Sequence, residues 1–62
     1  MESVVLKVKE NKVKVVHENG VVSHVFESND LSVKGLRSQL NKEVKEYDLE
    51  DYDVVDVKFL QH

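Results

Sequence analysis

Asn19-Gly20 is the dipeptide that most limits what this chain can fold into. Asparagine and glycine reach positive φ at little cost, so the pair suits the tight type I′ turn of a β-hairpin. It separates two runs rich in β-branched residues, and Val13 to Phe26 reads Val-Lys-Val-Val-His-Glu-Asn-Gly-Val-Val-Ser-His-Val-Phe. A two-residue turn sets the register, and register decides which side chains share a face. On that turn Val13 meets Phe26, Val15 meets His24 and His17 meets Val22. A three-residue Glu-Asn-Gly loop with a bulge is the rival. It would carry the third strand's side chains to the other face and take Phe26 and Val22 out of the core.

Val4 to Lys9 reads as a first strand, joined through Glu10-Asn11 to a second, Lys12 to Glu18. If that turn keeps Val8 opposite Val13, Leu6 falls opposite Val15 and Val4 opposite His17. The two turns then agree on one face, which collects Val4, Leu6, Val8, Val13, Val15, Val22 and Phe26. The other face carries Lys7 opposite Lys14, Lys9 opposite Lys12, and Val5 opposite Val16, with Glu27 against Lys12.

After the third strand, Ser28, Asn29, Asp30 and Ser32 are candidate N-caps. Val33, Leu36, Leu40, Val44 and Tyr47 then recur at steps of three and four, the stripe of an amphipathic helix. Gly35 interrupts its first turns. It is read as a neutral substitution near a frayed end, against the alternative of a close approach to the sheet or a partner. Asp48 to Asp53 is an acidic connection with room for one helical turn anchored by Leu49 and Tyr52. The final run alternates again, with Val55, Val57 and Phe59 inward and Val54, Asp56, Lys58 and Leu60 outward.

The order is β-β-β-α-β, a small α+β domain spanning residues 1–62. The sheet is mostly antiparallel, and one helix packs on one face across Leu6, Val15, Phe26, Val57 and Phe59. A right-handed crossover brings the last strand back parallel to the first, for a sheet order of 3-2-1-4.

Composition narrows the function. The chain has no cysteine, hence no disulfide or thiolate metal site, and its start shows no signal-peptide pattern. No apolar run approaches the ~20 residues of a membrane span. The expectation is a soluble, cytoplasmic protein. Its net charge is −3, and residues 43–56 hold seven acids against one base, Lys45. That balance argues against general nucleic-acid affinity, which rests on neutralising phosphates.

Catalytic chemistry finds little support. Ser23 and His24 are neighbours on one strand and so face opposite ways, and Gly20 and Gly35 are isolated from any phosphate-cradling loop. His17 and His24 lie diagonally on one face, close enough for two imidazoles to converge on a metal. A zinc site would want further ligands, and the rings read better as the rim of a core. No enzyme activity, cofactor, metal or small-molecule substrate is expected.

Two surfaces remain. One is the outward strip around Val5 and Val16. The other is the acidic segment, with Glu43, Glu46, Asp48, Glu50, Asp51 and Asp53 as its candidate contacts. The expected function is protein interaction, by binding another protein or a second copy as a homodimer, in a regulator or inhibitor. The make-up, rich in Lys, Glu, Asp, Asn and Val, looks like that of small open reading frames of low-GC bacteria and their phages. An acidic surface imitating nucleic acid would fit such an inhibitor. The alternative is a nucleic-acid binder using the ladder Lys7, Lys9, Lys12 and Lys14.

Overall fold

The computed structural model describes residues 2–60. Four strands, β1 (Glu2–Lys9), β2 (Lys12–His17), β3 (Val22–Glu27) and β4 (Tyr52–Phe59), form one sheet in the order β3-β2-β1-β4. The helix α1 (Val33–Glu46) connects β3 to β4, which runs parallel to β1, while the other two pairings are antiparallel. This is the expected α+β architecture. No helix among the described residues is long and apolar enough to cross a membrane.

The first hairpin follows the expected register, with Val4, Leu6 and Val8 facing His17, Val15 and Val13. The alternation along both strands leaves Val4, Leu6, Val8, Val13 and Val15 buried. Glu10 takes the positive φ (58°) that its two-residue turn needs.

The second hairpin departs from the expectation at its turn and then returns to it. The loop has three residues, Glu18-Asn19-Gly20. The Gly20 amide donates to the His17 carbonyl at 2.9 Å and the His17 amide to the Val21 carbonyl at 2.8 Å. Gly20 holds φ at +88°, the left-handed conformation of a bulged three-residue turn. Val16 therefore pairs with Val22, and the expected His17–Val22 pair does not form. Val22 faces away from the core and is 46% exposed. One residue further on the ladder shifts again. Val15 pairs with His24, so Ser23 is an extra residue in β3. The bulge at Ser23 cancels the offset made by the longer turn, which is why Phe26 still meets Val13 and is buried.

A second single-residue irregularity lies in β4. Val4 pairs with Val54 but Val5 with Asp56, leaving Val55 as the extra residue. The expected inward set is corrected accordingly: Val54 is in the core, while Val55 is 59% exposed. Val57, opposite Leu6, packs partly against the core, and Phe59, opposite Val8, is exposed beyond it. At the irregularity the Val54 carbonyl accepts from Arg37 Nη2 at 3.0 Å, tying the helix to β4.

The helix buries Leu36, Leu40 and Val44 against the sheet, and each such side chain contributes about 1.5–3 kcal/mol of transfer free energy. Val33 and Tyr47, expected on the same stripe, stand at the two ends and are exposed. Ser32 is the N-cap. Its hydroxyl accepts from the Gly35 amide at 3.0 Å and itself donates to Asp30 Oδ1 at 2.7 Å. That bond, with a second from the Ser32 amide, holds the Asp30 carboxyl below its ordinary pKa. A Cβ on Gly35 would collide with this carboxylate, so Gly35 is neither neutral nor frayed. The close approach is to Asp30.

The helix ends in a Schellman arrangement. The Leu49 amide donates to the Val44 carbonyl at 2.9 Å, with Asp48 in the left-handed region at φ 55°. Leu49 and Tyr52 pack partly against the core, but no helical turn forms between them.

Candidate interaction face

The helix covers one face of the sheet, and among the described residues no element covers the other. Pairing across the strands arranges that open face in rows, with neighbouring side chains about 4.5–5.5 Å apart at Cβ. One row reads Val22, Val16, Val5 and Asp56 across β3, β2, β1 and β4. The next reads Val25, Lys14, Lys7 and Lys58, and the third reads Glu27, Lys12 and Lys9. Leu60 joins the third row at its β4 side, its amide bonded to the Val8 carbonyl at 2.7 Å. Val25 and Leu60 line one shallow concavity together with Lys7, Lys9, Glu10, Lys12 and Lys14.

The expected lysine ladder is thus present and longer than the first hairpin alone implies. Lys58 extends it, so three lysines stand directly side by side on β2, β1 and β4. The β4 alternation already put Lys58 outward, but only its pairing with Lys7 makes it part of the row. Like charges directly opposite are mildly destabilising. None of these lysines is within ion-pair range of a carboxylate among the described residues. Glu27 stands directly opposite Lys12, however, and Asp56 in the row beside Lys7 and Lys58, so the repulsion is offset in part. The Val5–Val16 pair is also where it was expected. Both side chains are half-buried by their neighbours, whereas Val22 and Val25 are exposed.

The acidic segment divides. Glu43 turns inward. Its carboxylate accepts from Gln39 Nε2 at 3.1 Å and lies 3.4 Å from His24 Nε2, and its side chain is only 15% exposed. Glu46, Asp48, Glu50, Asp51 and Asp53 are exposed where α1 ends and β4 begins. Strand directions put this end beside the start of β1, away from Lys9 and Lys12 at the other end. The acidic end is therefore apart from Lys9 and Lys12 but adjoins the valine strip, because Asp53 pairs with Ser3 and Asp56 with Val5.

The histidines part company. His17 Nδ1 lies 2.8 Å from Glu2 Oε1, and its ring meets the Tyr52 ring edge-on at 5.3 Å. His24 stacks near Phe26 and Tyr47 and turns to Glu43. His17 Nε2 is buried with no hydrogen-bond partner among the described residues.

Comparison of the chain with protein-family models, with curated proteins and with solved structures finds no significant match.

Proposed function

We propose that this chain is a small interaction module without catalytic activity, which docks another protein on the open face of its sheet. One observation carries the reading: the valine row Val22–Val16–Val5 lies beside the lysine row on the face that no element among the described residues covers. An apolar centre with a charged flank is the make-up of a protein interface. Nucleic acid would use the lysines but has no use for the valines. Nor does any described aromatic side chain lie on this face as a platform for base stacking.

Size sets the expected strength. Four strands about 4.8 Å apart and up to eight residues long present roughly 500 Å². A standard interface uses about 800 Å² per partner, so this contact belongs with weak, transient regulatory ones. The reading takes the cytoplasm as its setting, in line with the cysteine-free sequence.

The test is capture from the cells that encode the chain, using wild-type and Val16→Lys baits with matched circular dichroism. The expected result is a protein retained by the first bait and lost from the second. Equal retention by both would place the interface elsewhere.

A further inference from the structure

We infer that the lysine-bearing open face takes the acidic end of a second copy of this chain, in a head-to-tail contact. The inference rests on the reading of the open face as an interface and names its occupant. Two observations support it. Lys7, Lys9, Lys12, Lys14 and Lys58 sit together on one face and outnumber the carboxylates beside them, Glu10, Glu27 and Asp56, and none of these lysines is in an ion pair among the described residues. Glu46, Asp48, Glu50, Asp51 and Asp53 are exposed at the opposite end. The first group leaves an excess of positive charge on its face, and strand directions keep its far end, Lys9 and Lys12, away from the second. Between copies, the two groups are opposite in sign.

The same charges argue against a symmetric dimer with the two open faces in register. Such a dimer would bring lysine rows toward lysine rows while removing them from water, where an unpaired charge is costly. Head-to-tail contact avoids this. It is heterologous, using different surfaces on the two copies, so each added copy leaves one face and one end open. Association should then rise with concentration without stopping at a dimer.

Sedimentation of the full chain tests this at about 20 mM and about 500 mM salt, because screening shortens the reach of exposed charges over that range. The expected result is a weight-average mass that climbs with concentration at low salt. At high salt the association should weaken about tenfold or more.

Charge reversal assigns the surfaces. Lys14→Glu/Lys58→Glu alone and Asp48→Lys/Asp51→Lys alone should each be monomeric, and their mixture should associate again. Lys34→Glu/Lys42→Glu, on the helix, makes the same net change as the first pair and should leave association intact. Circular dichroism establishes that each variant is folded.

A strict monomer at high concentration and low salt would overturn the inference. So would a salt-insensitive dimer, association that survives Lys14→Glu/Lys58→Glu, or an oligo-dT that shifts the lysine-face amide resonances of a protein that stays monomeric. A monomer whose wild-type bait still retains a protein that the Val16→Lys bait loses would remove this inference and leave the proposed function standing. Self-association by charge with equal retention by both baits would support the inference, keep the open face as an interface between copies and move the other protein's contact off it.

Discussion

The Asp30 carboxylate fills the space that a Cβ on Gly35 would need. In an ordinary helix interior, replacing glycine by alanine stabilises by up to about 1 kcal/mol. Here the sign should reverse. Gly35→Ala must push aside a carboxylate held by the Ser32 hydroxyl and amide, and with it the N-cap hydroxyl that accepts from the Gly35 amide. Urea unfolding should show a loss for Gly35→Ala. In the Asp30→Ala background the same substitution should become favourable.

Asp30 also gives a pH signature. Its pKa is lowered in the folded state, so its contribution to stability is fully present above its ordinary value of 3.8. That contribution is lost as pH falls through the lowered folded value. Urea midpoints of wild type and Asp30→Ala should therefore differ at neutral pH and converge in acid. A gap that widened on acidification would contradict the assignment.

Asp48 holds a left-handed conformation, which costs a non-glycine residue roughly 1–2 kcal/mol. It also places a negative charge at a helix C-terminus, where the helix dipole disfavours it. Asp48→Gly should stabilise the protein by about 1 kcal/mol. Asp48→Ala removes the charge but not the strain and should gain less. The melting temperatures of the two variants separate these causes.

His17 Nε2 is buried without a partner among the described residues, a situation that costs about 1–3 kcal/mol. The opposing gain is one contact to Glu2, whose side chain is 49% exposed, and exposed pairs of this kind contribute about 0–1 kcal/mol. His17→Phe keeps a ring against Tyr52 and removes the orphan nitrogen. Net stabilisation of about 1 kcal/mol is expected in urea, and net destabilisation would show that the Glu2 contact dominates.

Ser23 is the extra residue in β3, so deleting it should be tolerated. Val22 would stay opposite Val16 and His24 would follow directly against Val15, leaving Phe26 in the core. NOEs from the Phe26 ring to core methyl groups should persist in the deletion. Phe26→Ala, by contrast, should lose about 3–5 kcal/mol. For a domain this small that loss should unfold much of the population.

These variants also mark how far the sequence could be read. The β1–β2 register was legible because both strands alternate without interruption and Glu10-Asn11 leaves a two-residue turn. Errors concentrate at Val21-Val22 and Val54-Val55. In each doublet the two side chains are chemically identical, so alternation alone cannot say which faces in. A single extra residue then decides it. The lysine ladder was legible for the same reason as the first hairpin. Glu43 was not, because its inward turn depends on His24 and Gln39 arriving from two different elements. Gly35 was misread because its neighbour Asp30 comes from the preceding loop and leaves no trace in the helical pattern.

The two extra residues, Ser23 and Val55, lie one in each outermost strand of the sheet. A flat, regular outer strand is a template on which a passing extended chain can zip up, the first step toward cross-β fibrils. A bulge bends and twists its strand, so neither margin here is a straight template. This bears on a chain with valine doublets in all four of its strand regions and several valines exposed. The interruptions that spoil the alternation also protect the molecule from growing sideways.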